Sequence, residues 1–145
     1  MPPNPFMLAA IREARLGASE GGIPIGSVLV RDGKIIGRGH NRRVQDDNTM
    51  LHAEIDCLIN AGRIGGYRDT VLYSTLMPCF LCGGAVVQFR IPTVVAGEAR
   101  TFPGSESFMR EHGVEVVNLD LPECIGMMEK FIAEHPALWS EDIGQ

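Results

Sequence analysis

Two short β-type runs, Ile25 to Val30 and Lys34 to Arg38, meet across Arg31-Asp32-Gly33, where the Asp-Gly pair supplies the positive φ angles of a tight hairpin turn. After this hairpin, helical and extended patterns alternate. Leu51, Ile55, Leu58 and Ile59 recur with a 3.6-residue period and Gly62 offers a C-cap, which predicts a helix over 51–61. Thr70 to Ser74 reads as a buried strand, Phe80 to Phe89 as a mostly apolar helix, and Thr93 to Ala96 as a strand closed by Gly97. Val114 to Leu119 adds a last strand, and Pro122 to Glu134 a helix with Ile125, Met128, Phe131 and Ile132 on one side, stopped by Pro136. Ahead of the hairpin, Asn4-Pro5 reads as an N-cap with proline at the first helical position, and Gly21-Gly22 ends that helix. An antiparallel hairpin followed by strands that need helical crossovers predicts an α/β sandwich with a mixed sheet. The tail from Ala137 to Gln145 carries the only Trp, so it is expected to dock on the body.

A chain of 145 residues with 45% hydrophobic content fits a single domain over 1–145 with a core that needs no disulfide staples. The net charge of -5 repels a phosphate backbone, so nucleic acid is not an expected partner. Met1-Pro2-Pro3-Asn4-Pro5 has no basic region followed by an apolar run, and no segment approaches the roughly 20 apolar residues of a membrane span. The four cysteines therefore read as reduced thiols, and the cytoplasm is the expected compartment.

Two segments carry chemistry: His52-Ala53-Glu54 at one helix start and Pro78-Cys79-Phe80-Leu81-Cys82 at another. Cys79 and Cys82, three apart in a first helical turn, share a face and can bind one ion, with His52 supplying a nitrogen from the neighbouring helix. Three protein ligands leave a tetrahedral zinc ion with an open position, the mark of a catalytic site. Zinc brings the pKa of a water ligand to about 7, and Glu54 is placed to take that proton and pass it on. H-x-E followed by P-C-x-x-C is a described signature of zinc deaminases acting on bases. The residues alone also admit a structural Cys/His zinc knuckle, a pair of inert core cysteines or a redox C-x-x-C. A structural site wants a fourth ligand, and His40, Cys57 and Cys124 have no helpful spacing to the pair. Cys57 and Cys124 read as core or surface thiols, and His112 and His135 as helix-end residues.

With those segments in place, the chain resembles the fungal-type cytosine deaminases, small members of the cytidine deaminase superfamily, over nearly its whole length. The likeness extends to Gly22-Ile23-Pro24-Ile25-Gly26, Gly37-Arg38-Gly39-His40-Asn41, Thr75-Leu76-Met77-Pro78-Cys79, Gly97-Glu98 and Trp139-Ser140-Glu141-Asp142-Ile143-Gly144. The resemblance implies a three-layer α/β/α sandwich with a five-stranded mixed sheet, a Zn2+ cofactor, a free nucleobase as substrate and a homodimer. It implies that Asn41 donates to the ring carbonyl, Asp142 accepts from the ring N1–H, Phe102 and Trp139 close over the base, and Ile25 packs on a ring face, with Ala53 also in the pocket. From the residues alone, Trp139 equally pins the tail, Asp142 caps it and Asn41 caps a turn. Two positions depart from the fungal-type pattern: Ala53 stands where glycine is usual, and Ser140 where an aromatic residue follows Trp139. His-Ala-Glu is the form of guanine and tRNA-adenosine deaminases, so a deaminase of guanine or another amino-substituted heterocycle is the rival enzyme reading. The negative charge and the lack of a basic C-terminal run disfavour the tRNA branch. The non-enzyme rival is a zinc-stabilised ligand-binding domain.

Overall fold

The computed structural model describes residues 4–145, so the reading of Met1 to Pro3 lies outside the described residues. Helix α1 (Pro5–Ser19) begins as its sequence predicts, with Asn4 Oδ1 accepting from Phe6 N at 2.8 Å and Met7 N at 3.3 Å. Strands β1 (Gly26–Arg31) and β2 (Lys34–His40) form the antiparallel hairpin, and both turn residues are left-handed, Asp32 at φ 52 and Gly33 at φ 73. Then come α2 (Ala53–Ala61), β3 (Thr70–Ser74), α3 (Phe80–Phe89), β4 (Thr93–Ala96), α4 (Glu106–Glu111), β5 (Glu115–Asn118), α5 (Pro122–Glu134) and α6 (Pro136–Asp142).

The sheet order is β2-β1-β3-β4-β5. β1 runs antiparallel to both neighbours, whereas β3, β4 and β5 are parallel and joined by helices, so the sheet is mixed and five-stranded. Alternation along the strands feeds two cores. Leu29, Leu72, Val94 and Val116 pack with Cys57, Leu58, Val86 and Met109 of α2, α3 and α4, while Val28, Val30, Tyr73 and Val95 pack with α1 and with Cys124 of α5. The result is the three-layer α/β/α sandwich. Each fully buried aliphatic side chain contributes about 1.5–3 kcal/mol by its removal from water.

Helix α2 lies unusually close to β2, and Gly39 is the reason: a Cβ there would sit 2.5 Å from the Cys57 nitrogen and 2.6 Å from Asp56 Oδ2. That approach brings the end of β2 against the start of α2. The tail docks as expected, but as a helix. Pro136, which ends α5 in the sequence reading, opens α6 at its first position, and Trp139 is buried. Helix α4 has no counterpart in that reading, because its six residues bury only Met109 and leave no period to detect. Among the described residues no helix is long and apolar enough to cross a membrane.

Candidate functional site

His52 and Cys79 are the N-cap residues of α2 and α3, both with extended backbone, φ -65 ψ 158 and φ -73 ψ -179. Neither side chain caps its own helix, which leaves both free to project ahead of it. Cys82 follows in the first turn of α3. The chosen atoms of His52, Cys79 and Cys82 all lie within 4.8 Å of one another, and His52 Nδ1 stands 3.4 Å from Cys79 Sγ. An imidazole and two sulfurs converging at two helix N-termini form a donor set suited to Zn2+, with no fourth His, Cys or carboxylate in the group.

The protonation pattern around these atoms points the same way. Cys79 is pulled down to about 4, chiefly because the Cys82 thiol hydrogen-bonds to it, with His52 adding to the effect against the cost of burial. Cys82 is pushed well above the usual thiol range by that same bond and by burial. Burial works to lower His52, yet Cys79, Asp142 and Glu54 together carry it above its ordinary value. A divalent cation would meet a thiolate, a second sulfur and an imidazole at one point, so the residues fit the ion.

Glu54, the second residue of α2, is 5% exposed. Burial pushes its carboxyl up to about 7, with the Cys79 thiolate adding to the rise and His52 opposing it. A carboxyl that titrates near neutral pH can both accept and deliver a proton.

These groups open on one small cavity of about 20 Å³, room for about one water. It is lined by Ile25, Asn41, His52, Ala53, Glu54, Cys79, Phe102, Trp139 and Asp142, so the residues singled out from the sequence meet there, Cys82 standing just behind. Leu76, Met77 and Ile143 complete the lining and carried no separate signal, being ordinary apolar positions in their segments. Larger clefts exist, one of about 850 Å³ between Arg31, Tyr67 and Phe89, but this lies at the opposite end of the sheet and holds none of the cluster.

The cavity has a polar wall and an aromatic cover. Asn41 Nδ2 donates to Asp142 Oδ1 at 3.3 Å, and Phe102 stands edge-on to Trp139 with ring centroids 5.8 Å apart. Asp142 is raised by burial, against the pull of His52, Arg43 and Asn41. Asn41 is placed by Asp56 of α2, whose Oδ2 accepts from His40 N at 3.0 Å and Arg42 Nε at 3.2 Å on either side of it. Cys57 and Cys124 are buried thiols pushed up to about 12, and His112 and His135 sit at helix ends, all apart from the cavity.

Comparison with known proteins agrees with this geometry. The family model described as the cytidine and deoxycytidylate deaminase zinc-binding region matches residues 3–98. Cytosine deaminase of Candida albicans (strain SC5314 / ATCC MYA-2876) is 48% identical over 139 residues, 94% of this chain and 93% of that protein. A tRNA-specific adenosine deaminase of Streptococcus pyogenes (serotype M18, strain MGAS8232) is 36% identical over 141 residues, 89% of each. The solved structure of a guanine deaminase from Nitrosomonas europaea has the same fold, with a TM-score of 0.74 at 19% identity over 92% of this chain and 87% of that one. The chain therefore belongs to the zinc-dependent cytidine and deoxycytidylate deaminase family.

Proposed function

We propose that the chain hydrolyses free cytosine to uracil and ammonia. The observation that carries this reading is the pairing, inside one cavity, of a three-ligand metal corner and a buried Glu54 with the Asn41–Asp142 wall. The 48% identity to a cytosine deaminase supports the choice of base.

His52, Cys79 and Cys82 would hold the zinc ion. When bound, zinc makes water a nucleophile at neutral pH and withdraws charge from the reacting ring. Glu54 then moves protons. It takes one from the attacking water and delivers it to ring N3, then takes a second from the new C4 hydroxyl and gives it to the amine, which leaves as ammonia while the C4 carbonyl forms. Asn41 Nδ2 donates to the C2 carbonyl, and Asp142 accepts from N1–H. A nucleoside carries its sugar on N1, so it would meet a buried carboxylate with no hydrogen to offer it. Phe102 and Trp139 cover the base, and Ile25 and Ala53 pack on the ring.

The test is ammonia release by purified, zinc-replete protein from cytosine, guanine, adenine and cytidine. Release from cytosine alone is expected; comparable turnover of cytidine overturns the placement of Asp142. Guanine also carries an N–H beside a C=O, with its amine-bearing C2 next to that N–H rather than across the ring from it, and is the second reading, which preferential release from guanine would establish.

A homodimer is proposed as well. Met50, Ile59, Phe80 and Leu81 are exposed at and beside α2 and α3, on one side of the sheet, and a second copy would cover them symmetrically. Sedimentation at micromolar concentration should give twice the chain mass. The net charge of -5 argues against a nucleic-acid partner, metal-binding thiols that must stay reduced argue for a cytoplasmic enzyme, and release of uracil from a free base would place it in pyrimidine salvage.

A further inference from the structure

One charged side chain beside the cavity has no part in the scheme above. Arg43 is only 6% exposed in its side chain, whereas every other arginine in an ion pair among the described residues is 24% or more exposed. A guanidinium is kept from water only where it is well partnered. Here the partners of the guanidinium are Asp142, Glu141 and the Thr49 carbonyl.

Arg43 Nη1 lies 3.3 Å from Asp142 Oδ1, and its backbone nitrogen donates to Asn41 Oδ1 at 3.1 Å. Its Nε donates to Thr49 O at 3.1 Å, which ties down the loop leading to His52, and Nη2 stands 3.8 Å from Glu141 Oε1. The bond to Asn41 Oδ1 settles which end of that amide faces the cavity. The oxygen is spent on the backbone, so Nδ2 is presented, with one hydrogen on Asp142 and the other free. On Asp142, Oδ1 accepts from Asn41 Nδ2 and pairs with Arg43 Nη1, with His52 Nε2 3.9 Å away, and no donor among the described residues takes Oδ2. A donor therefore stands beside an acceptor in fixed order.

We infer that Arg43 is a positioning residue for substrate selection: its guanidinium holds Asp142 as acceptor beside the Asn41 amide, which the backbone nitrogen of the same residue orients, so that the cavity admits rings bearing an N–H next to a C=O. This deepens the cytosine reading and rests on it. Arg43 does not itself line the cavity. The influence of its side chain reaches the substrate through Asp142.

The experiment compares wild type, Arg43→Gln and Arg43→Lys for zinc content, thermal midpoint, affinity for uracil, kinetics on cytosine, and turnover of cytosine against 1-methylcytosine. For Arg43→Gln, uracil affinity and kcat/KM should each fall about 10- to 100-fold, with the loss mainly in KM, as when one partner of a buried charge pair is removed. Preference for cytosine over 1-methylcytosine should narrow, zinc content should stay, and Arg43→Lys should recover part of both. A lowered thermal midpoint with unchanged affinity and preference would mean that Arg43 only staples its loop, and overturns the inference. If Arg43→Gln does not fold, a double-mutant cycle of Arg43→Lys with Asp142→Asn replaces it, where strict additivity counts against the inference and coupling supports it. Wild type that neither binds uracil nor releases ammonia from cytosine would defeat the function proposed above. The Arg43 variants are then read on whichever base of the screen wild type accepts, and unaltered preference there overturns the inference as well.

Discussion

The metal corner and the Asn41–Asp142 wall share one cavity, yet they are assembled in opposite ways. The corner comes from two helix starts, where extended N-cap residues turn side chains ahead of α2 and α3 and leave the helix backbone to hold them, as in Asp56 N donating to His52 O and Gly83 N to Cys79 O. The wall joins Asn41 at the end of β2 to Asp142 in the last turn of α6, 101 positions apart. The corner is thus built from short local motifs, whereas the wall depends on the docking of α6. Substitutions in the corner should abolish turnover on any base. Substitutions in the wall should change which base is turned over.

The largest effects belong to the corner. Cys79→Ala and His52→Ala should lose zinc and fall to background ammonia release, since two remaining ligands do not hold the ion catalytically. Metal analysis of the purified variants checks this, and full occupancy would remove the residue from the ligand set. Next comes Glu54→Gln, which keeps zinc and fold but should lose at least about 10²–10⁴ in kcat, the contribution of a positioned acid-base group. Substantial residual turnover would show that protons travel by another route.

The corner was legible in the sequence for a physical reason. Its geometry follows from spacing within single helical turns, so H-x-E and P-C-x-x-C carry nearly all the information that the folded site needs. The hairpin was legible likewise, because Asp32 and Gly33 adopt the backbone angles that few other pairs tolerate. Residues of the wall were found through resemblance, and nothing in the spacing of Asn41, Phe102, Trp139 and Asp142 brings them together. Arg43 escaped altogether. A charged residue between Arg42 and Val44 reads as a solvated loop position, and only the packing of α6 across that loop buries it.

An intermediate effect tests the wall by itself. Asp142→Ala should retain zinc and raise KM for cytosine by about 10- to 100-fold, the cost of losing a buried hydrogen-bond acceptor for N1–H. Isothermal titration with uracil should show the same loss without any turnover. An unchanged KM would mean that Asp142 merely caps the tail, and the wall would lose its claim on the substrate.

The smallest effect reads the corner without catalysis. In zinc-stripped protein the Cys79 thiol is held at about 4 by its bond from Cys82 and by His52, so it is a thiolate throughout the neutral range. Cys79 is half-buried, while Cys57 and Cys124, both buried, are pushed up to about 12 and stay protonated. Iodoacetamide should therefore label Cys79 first, at a rate that changes less than about twofold between pH 6 and 8, where a free thiol of ordinary pKa gains nearly tenfold per unit. The sign follows from the thiolate fraction: already saturated above its depressed pKa, it has nothing further to gain as pH rises. Peptide mass analysis identifies the labelled cysteine, and added zinc should protect it. A rate that climbs with pH as a free thiol's does would mean that the Cys82 and His52 contacts do not organise this sulfur before the metal arrives, and the corner would then owe its geometry to the ion as much as to the two helix starts.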